Sequence, residues 1–346
     1  MFKTIRDFDF VNKRVLVRCE FDVPVDAQGN ILDDFRIQRA LPTIEYLTAN
    51  KAKVILMCHL GRPEGQVMPG LKTDKIAQRL AEYLGFAVVK LDDCVGENIK
   101  AQIEMADYGG VLLLENLRFH KEEQDNDLNF AEQLAELGDF YVNDAFGVCH
   151  RENASVTGLP QFLPHCAGFS LEKEIQVLSR IMQTPEQPMV VLIGGKKVET
   201  KSKFINNISG VADSVIISGL IAKEVLQQGV EFSFPDKIVS PAGDLEALDI
   251  NDESIKIFSE KILQAKTVLW NGPFGKFEDE QYSAGTLAIA KAIIESGAYS
   301  VVGGGETVEF INKKGMIDKF SHVSTGGGAM LSYLAGDVLP GIEALK

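Results

Sequence analysis

The chain alternates short, continuously apolar segments with stretches long enough to form helices. Eight apolar segments read as strands, four in each half: Arg14–Cys19, Lys53–Met57, Val111–Leu114, Phe140–Val142, Met189–Ile193, Ser214–Ile217, Thr267–Trp270 and Tyr299–Val302. Helical patterns between them include Ile37–Ala49, Thr73–Leu84 and Leu128–Leu137. A strand that is apolar along its whole length is buried on both faces, as in a parallel sheet covered by helices. The alternation therefore predicts an α/β protein with parallel sheets.

The rhythm of strands and helices is interrupted once, near the middle of the chain. A helical pattern at Leu171–Met182 is followed by the proline-marked segment Thr184–Pro188. Because 346 residues exceed the size of one ordinary core, we expect two domains. We place them at residues 1–170 and 189–335, joined by a hinge helix and linker at 171–188.

Charge and composition restrict the partners. The net charge of −14 disfavours nucleic acid and anionic membranes, and it requires any site for an anionic ligand to concentrate its cations locally. No apolar stretch is long enough to span a membrane and no signal-peptide pattern opens the chain, so we expect a cytoplasmic protein. The five cysteines are scattered and lack a CxxC pair, which favours buried, reduced thiols over disulfides or zinc ligands.

Basic residues follow the predicted strands of the first half. They are Arg36, His59, Arg62, Arg118 and Arg151. The carboxyl ends of parallel strands meet at one edge of a sheet, so we expect these side chains to converge. A single arginine in a loop is ordinarily a solvated surface residue, and His59 could be a structural histidine. Five basic groups after successive strands nevertheless predict a pocket for a small, multiply charged anion.

Glycine-rich loops follow the predicted strands of the second half. They are Gly194–Lys201, Trp270–Glu278, Gly303–Thr307 and Ser324–Gly328. Glycines before a helix N-terminus suit phosphate binding, although neither the GxxxxGK[ST] nor the GxGxxG spacing is present. Ordinary strand-to-helix turns are the alternative interpretation. For Trp270–Glu278, a base and ribose site and a rigid turn around a buried tryptophan are equally supported.

Taken together and in this order, the motifs resemble those of the phosphoglycerate kinase family over nearly the whole chain. The matching segments are His59–Pro63, Leu114–Phe119, Tyr141–Gly147 and the four glycine-rich loops. The resemblance implies two Rossmann-like domains and a monomer without nucleic-acid or membrane partners. It also implies reversible phosphoryl transfer from 1,3-bisphosphoglycerate to ADP, giving 3-phosphoglycerate and ATP, in glycolysis and gluconeogenesis. Mg²⁺ would be carried with the nucleotide.

The resemblance also implies roles for individual residues. The first domain would bind the acid substrate through Glu20, Asp22, Arg36, His59, Arg62, Arg118 and Arg151. The second would bind the nucleotide through Gly195, Lys197, Lys201, Gly219, Asn271, Pro273, Glu278, Gly303, Gly304, Gly305, Glu306 and Thr307, with Glu306 beside the metal. Arg36, Lys197 and Lys201 would be catalytic. The tail, residues 336–346, would return to the first domain.

Three acids depart from the usual family pattern. Glu20-Phe21-Asp22 stands where the family usually has Asp-Phe-Asn, and Glu306 replaces an aspartate. The chain is also shorter than typical members, which predicts trimmed loops and helices in its second half. These departures motivate an alternative hypothesis, a protein that binds both ligands without turnover. An NAD-linked enzyme is a third hypothesis, weakened by the absence of GxGxxG.

Overall fold

A computed structural model describes residues 2–195 and 201–346. The chain forms two compact units, Met1–Glu174 with Val338–Lys346, and Ile175–Asp337. Each unit contains one six-stranded sheet in which all paired strands are parallel. The prediction of an α/β fold with two parallel sheets is confirmed.

The first unit is built on a sheet with the strand order β3-β4-β2-β1-β5-β6. Its strands are β1 Arg14–Arg18, β2 Lys53–Met57, β3 Val88–Lys90, β4 Val111–Leu113, β5 Phe140–Asn143 and β6 His165–Ala167. Its helices are α1 Phe35–Ala49, α2 Asp74–Leu84, α3 Glu97–Met105, α4 Lys121–Gln124 and α5 Leu128–Ala135. The next helix, α6 Phe169–Gln183, contains the boundary between the units.

The second unit has the strand order β12-β11-β10-β7-β8-β9. Its strands are β7 Met189–Ile193, β8 Ser214–Ile217, β9 Ile238–Val239, β10 Thr267–Asn271, β11 Tyr299–Gly303 and β12 His322–Val323. Its helices are α7 Ser202–Ser209, α8 Gly219–Gln228, α9 Asp252–Leu263, α10 Ala284–Ser296, α11 Gly305–Lys313 and α12 Gly328–Leu334. A last helix, α13 Pro340–Glu343, belongs to the first unit.

Three central strands of the two sheets, β2, β7 and β10, are buried along their whole length. All five residues of β2, of β7 and of β10 are buried, as their apolar sequences require. Strands β1 and β2 pair from Arg14 opposite Lys53 to Arg18 opposite Met57. Their carboxyl ends are therefore level, and the loops that follow them emerge at the same edge of the sheet.

Local polar contacts fix where several helices begin. The Asn251 side chain accepts a hydrogen bond from Ser254 N at 2.9 Å before α9, and the Asp127 side chain does the same for Phe130 N at 2.8 Å before α5. Such caps satisfy amides that have no partner inside the helix.

The C-terminal tail packs within the first unit. Leu339 and Leu345 are buried, and Gly341 N donates a hydrogen bond to Cys149 O at 2.9 Å. The tail thus contacts the chain beside Arg151 and contributes apolar side chains to the core of that unit.

Four short strands were not predicted from the sequence. Strands β3, β6, β9 and β12 have only two or three residues each, which is too short for a local pattern to identify. The other differences concern ends of elements: α6 begins at Phe169 rather than Leu171, and α5 ends at Ala135 rather than Leu137. All five cysteines are buried and unpaired, as predicted. None of the helices in the described ranges is long and apolar enough to cross a membrane.

Candidate active site

The first unit gathers charged side chains where four neighbouring strands end. Strands β4, β2, β1 and β5 are adjacent in the sheet, and the segments after them carry Arg118, His59, Asp22 and Arg151 respectively. Arg36 is the second residue of α1. We call Glu20, Asp22, Arg36, His59, Arg118 and Arg151 the first-unit site.

Asp22 lies at the centre of the first-unit site. Its Oδ1 accepts a hydrogen bond from Gly61 N at 2.8 Å, and its Oδ2 lies 3.5 Å from His59 Nε2. The Arg36 guanidinium donates to the main-chain oxygen of Asp22. Burial opposes ionisation, yet the hydrogen bonds from His59 and Gly61 and the charge of Arg36 hold the pKa of Asp22 well below its usual range. Asp22 is therefore a fixed negative charge.

His59 is a neutral hydrogen-bonding group rather than a further cation. The side chain is buried, and Nδ1 lies 3.0 Å from the Arg18 guanidinium. Burial, with a contribution from Arg18, lowers the pKa of His59 to about 3. The structural and functional interpretations of this histidine are therefore compatible, since it is held by Arg18 on one side and directed towards Asp22 on the other.

The arginines of the first half differ in exposure. Arg118 is buried and its Nη1 donates to Gly61 O at 2.7 Å, while burial and the neighbouring Arg151 lower its pKa to about 10. Arg151 is half-buried and Arg62 is exposed. The structure thus brings Arg36, Arg118 and Arg151 together around Asp22, with Arg62 at the surface of the loop after β2.

Glu20 is buried, and its Oε2 has no hydrogen-bond partner among the described residues. Burial raises its pKa, and the charges of Arg36 and Arg18 oppose that rise. A β-carbon on Gly147 would lie 2.5 Å from Glu20 Oε2. The longer glutamate therefore fits because residue 147 has no side chain.

The second unit contains a cavity of about 630 Å³ at the carboxyl ends of β7, β8 and β10. We call it the second-unit cavity. Among the predicted nucleotide-binding residues, its lining includes Gly195, Lys201, Gly219, Pro273, Glu278 and Glu306. This volume is in the range of small-molecule sites.

Two loops meet closely at the floor of the second-unit cavity. Gly194 N donates to Asn271 O at 2.8 Å, and Gly195 N donates to Pro273 O at 2.9 Å. A β-carbon on Gly194 would lie 2.1 Å from Pro273 O, so this approach is possible only for glycine. Trp270 is fully buried beneath the loop, and its Nε1 donates to Gly272 O at 2.9 Å. The segment Trp270–Glu278 therefore forms a turn around a core tryptophan, and its residues from Pro273 to Glu278 also line the cavity.

Lys201 and Glu306 flank Gly195 in the second-unit cavity. A β-carbon on Gly195 would lie 3.0 Å from Lys201 Nζ and 3.9 Å from Glu306 Oε2. Lys201 is buried, and its Nζ donates to Gly194 O. Burial lowers the pKa of Lys201 to about 8, although the nearby Glu306 carboxylate opposes this change.

The remaining predicted residues of the second unit lie behind the cavity lining. Thr307 is buried, and its Oγ1 accepts a hydrogen bond from Gly272 N at 2.8 Å, which links the loop after β10 to the first turn of α11. Asn271 is buried, and its Nδ2 has no partner among the described residues. Gly303, Gly304 and Gly305 form the turn from β11 into α11. Lys197 lies outside the described residues.

Sequence reasoning assigned no role to three buried residues of the first unit. Arg18, Ser155 and Glu123 form a hydrogen-bonded group behind His59. An arginine at the end of an otherwise apolar strand could have drawn attention, because a buried charge requires partners. A separate cluster of metal-type ligands, Asp93, Cys94 and His120, also lies in this unit. Each member already has a protein hydrogen-bond partner, so hydrogen bonds within the protein account for the position of these three side chains.

Comparison with known proteins identifies the family. Residues 5–233 and 230–337 match the family model of phosphoglycerate kinase. Phosphoglycerate kinases from Pelotomaculum thermopropionicum and Moorella thermoacetica are 43% and 42% identical over 388 aligned positions, covering 99% of this chain and 98% of each relative. The fold and these matches define a nucleotide-dependent phosphotransferase that acts on a carboxyl group. The chain belongs to the phosphoglycerate kinase family.

Solved structures agree with this assignment. The phosphoglycerate kinase from Pyrococcus horikoshii aligns with a TM-score of 0.89 at 32% identity, covering 100% of this chain and 98% of that one. The phosphoglycerate kinase from Coxiella burnetii aligns with a TM-score of 0.83 at 32% identity, covering 100% of this chain and 99% of that one. The 388 positions aligned to the bacterial relatives exceed the 346 residues of this chain by 42. The two segments of the family match meet at 230–233, directly after α8.

Proposed function

We propose that this protein transfers a phosphoryl group between 1,3-bisphosphoglycerate and ADP through the two sites described above. The first-unit site, together with Arg62, would bind the phosphoglycerate, and the second-unit cavity would bind the nucleotide. The observation that carries the proposal is that Lys201 and Glu306 both lie close to Gly195 within one cavity. A cation and an acid beside an exposed glycine backbone suit a phosphate chain with a divalent metal.

Arginines would provide most of the charge that holds the acid substrate. Arg36, Arg62, Arg118 and Arg151 can each form bidentate bonds with phosphate or carboxylate. His59 would donate a neutral hydrogen bond. Glu20 and Asp22 would accept hydrogen bonds or, in the case of Asp22, compete with the substrate for the same donors.

The second-unit cavity would hold the nucleotide from phosphates to base. Lys201 would contact the phosphates, with Asn271 and the turn Gly303–Gly305 near them. Gly219, Pro273 and Glu278 would line the nucleoside portion. Thr307 would act by holding the loop at Gly272. A phosphate-binding and catalytic role for Lys197 stays a prediction.

The residues present fit a magnesium ion that arrives with the nucleotide. Glu306 offers one carboxylate in the first turn of α11, facing the same cavity as Lys201. Mg²⁺ is commonly held by one or two carboxylates and the phosphates of its substrate. When bound, the ion would neutralise charge on the phosphate oxygens.

The reaction requires alignment and charge neutralisation rather than acid–base chemistry. In the direction of ATP use, a carboxylate oxygen of 3-phosphoglycerate forms a bond to the terminal phosphorus, and the bond from that phosphorus to the bridging oxygen of ADP breaks. Lys201 and Arg36 would stabilise the charge on the transferring group. Transfer between ligands held by different units also requires the units to bring them together. Helix α6, where the boundary falls, is our candidate for that hinge.

The proposal is tested by measuring 3-phosphoglycerate-dependent formation of ADP from MgATP, with a coupled reaction that removes the acyl phosphate. We expect turnover by the wild-type protein and a loss of at least about a hundredfold in kcat/KM for Lys201→Ala and for Arg36→Ala. Matched controls are Lys203→Ala on α7 and Arg39→Ala on α1, whose side chains are exposed.

The controls should keep activity close to that of the wild type. Folded wild-type protein that binds both ligands without turnover would contradict the proposal and favour the alternative of a binding protein. Full activity of Lys201→Ala would show that the second-unit cavity is not the reacting site.

We further propose that the protein acts as a cytoplasmic monomer with small-molecule partners only. Five buried, unpaired thiols suit a reducing compartment, and each proposed site is complete within a single chain. Light scattering coupled to size exclusion should give a mass near 38.0 kDa. A mass twice as large would contradict the monomer.

A further inference from the structure

A continuous run of hydrogen bonds crosses the core of the first unit and ends at His59. Glu123 Oε1 accepts from Ser155 Oγ at 2.6 Å, and its Oε2 accepts from Ser155 N at 2.9 Å. Ser155 Oγ in turn accepts from Arg18 Nε at 2.9 Å. The Arg18 guanidinium also reaches Cys19 O at 2.6 Å and His59 Nδ1 at 3.0 Å. Arg18, Ser155 and Glu123 are each at most 1% exposed.

Chemistry fixes the direction of every hydrogen bond in this run. A guanidinium has five N–H donors and no acceptor, so Arg18 must donate to Ser155 Oγ and to His59 Nδ1. An imidazole nitrogen that accepts a hydrogen bond carries no proton. The single proton of the neutral ring is therefore on Nε2, the nitrogen that lies 3.5 Å from Asp22 Oδ2.

We propose that Arg18 is a positioning residue of the acid-binding site, which keeps His59 neutral with its proton on Nε2, the ring nitrogen that faces Asp22 in the proposed phosphoglycerate site. The inference rests on the proposed function for its substrate. It assigns a role to a residue that lies behind the first-unit site and does not itself belong to it. Arg18, balanced by Glu123 through Ser155, determines what kind of hydrogen-bonding group His59 presents.

All but one of the groups around His59 disfavour protonation of its imidazole ring. Burial is the largest effect that disfavours a positive imidazolium, and Arg18 from β1 and Arg118 from the segment after β4 act in the same direction. Asp22 from the segment after β1 favours it. Because a second cation would stand 3.0 Å from the guanidinium, the neutral ring is the stable form, and the pKa near 3 agrees with this geometry.

Glu123 explains how a fully buried arginine is tolerated. Burial raises the pKa of Glu123, whereas Arg18 and the two hydrogen bonds from Ser155 lower it. A buried charge that lacks a partner is strongly destabilising, so loss of Glu123 or Arg18 alone is expected to impair folding. The charge pair must therefore be removed as a pair in any experiment.

The first test needs no variant of the pair. In the intact wild-type protein labelled with ¹⁵N-histidine, long-range ¹⁵N–¹H spectra report which ring nitrogen carries the proton. The His59 signals are assigned by their absence from His59→Gln. We expect a protonated Nε2 and a bare Nδ1, with no titration between about pH 5.5 and 8. A proton on Nδ1, or a midpoint near the ordinary value of about 6.5, would overturn the proposal.

The second test uses the paired variant Arg18→Met with Glu123→Gln. Without the guanidinium, the His59 pKa should rise into the measured range, and the imidazolium should attract the anionic acid at low pH. The ratio of variant to wild-type KM for 3-phosphoglycerate should then fall at least about threefold from pH 7.5 to pH 5.5. Titration of the substrate itself cancels in this ratio. A ratio that does not change with pH would overturn the proposal.

The matched control is Arg14→Met with Asp139→Asn, which removes an ion pair of 2.8 Å at the other end of β1. Its KM ratio should not depend on pH. The single variant Arg18→Lys keeps the positive charge but cannot bond to Ser155, Cys19 and His59 at the same time. Compared with the paired variant, it should therefore keep the His59 ring neutral only in part. Absence of turnover in the wild-type protein would contradict the proposed function, while the spectrum of His59 would still decide the tautomer.

Discussion

The carboxylate of Asp22 occupies the centre of a site that we assign to an anionic substrate. Gly61 N and His59 contact it, and the charge of Arg36 stabilises it. The family usually has an asparagine at this position. The negative charge of Asp22 is therefore expected to repel the anionic substrate that we assign to this site.

Replacing Asp22 by asparagine should strengthen binding of the acid substrate. The amide oxygen can still accept from Gly61 N, while the negative charge is lost. We expect KM for 3-phosphoglycerate to fall about three- to tenfold, equivalent to roughly 0.6–1.4 kcal/mol, with KM for MgATP unchanged. Steady-state kinetics at constant ionic strength provide the measurement. A higher KM for the acid would mean that Asp22 binds the substrate directly.

Lys201 should make nucleotide binding dependent on pH. Since its pKa is about 8, the side chain is charged below that pH and becomes neutral above it. Affinity for ADP should therefore be constant up to about pH 7.5 and fall by up to about tenfold between pH 8 and 9. Calorimetric titration at several pH values measures this. Lys201→Arg should abolish the fall, and an unchanged affinity in the wild type at pH 9 would contradict the assignment of Lys201.

At the scale of elements, one buried acid organises the start of α6. Asp144 follows β5, and its Oδ1 accepts from Ser170 N at 2.8 Å and from Leu171 N at 3.3 Å in the first turn of the helix. Burial raises the pKa of Asp144 to about 7, against hydrogen bonds from Thr43 and these two amides. The carboxyl group is thus a helix cap that is held in a mainly protonated form below neutrality.

The pH dependence of stability follows from this cap. Between about pH 4 and 7 the folded state holds the Asp144 proton and the unfolded chain does not, so the free energy of unfolding should fall as pH rises through that window. Asp144→Asn should be more stable relative to wild type at pH 8 than at pH 5. Asp144→Ala loses the acceptor and should cost about 1–2 kcal/mol. Urea unfolding followed by circular dichroism tests both, and a constant difference for Asp144→Asn would contradict the raised pKa.

Elements of strong local pattern could be predicted from the sequence, and short ones could not. Strand β2 was predicted to the residue because Lys53 is followed by the continuous apolar run Val54–Met57. Strand β12 has two residues, one of them histidine, and it exists only because β11 lies beside it. Short edge strands depend on tertiary pairing, which a local pattern does not contain.

In the first-unit site, too, features with a local sequence pattern could be predicted, and features that depend on tertiary contacts could not. Positions after strand ends indicated Arg36 and His59, because parallel topology brings such positions together. The hydrogen bond from Arg18 to Ser155 joins residues 137 positions apart in the sequence, and no local spacing pattern predicts it. The neutrality of His59 likewise depends on burial, which the sequence alone does not specify.

At the scale of the whole molecule, the tail connects the last residues of the chain to the first unit. Leu339 and Leu345 are buried there, and Gly341 N bonds to Cys149 O, two residues before Arg151. The second-unit cavity, which we propose as the nucleotide site, is by contrast lined only by residues of the second unit. The tail should therefore affect the two ligands unequally.

Deletion of residues 338–346 should weaken the acid site and spare the nucleotide site. Loss of two buried leucines should destabilise the first unit by roughly 3–6 kcal/mol. We expect a higher KM for 3-phosphoglycerate and an unchanged affinity for MgADP, measured by calorimetry below the unfolding temperature. The control variant Lys346→Ala removes only an exposed ion pair with Glu343. Equal weakening of both ligands would contradict this division.

The burial of Trp270 also determines how the molecule can be observed. It is the single tryptophan of the chain, it lies in β10 of the second unit, and its indole is bonded to Gly272 O beneath the cavity. Tryptophan emission is consequently a probe of one unit alone. A denaturation curve recorded by emission will coincide with one recorded by circular dichroism only if both units unfold in a single cooperative step. Separate curves would reveal an intermediate in which one unit remains folded.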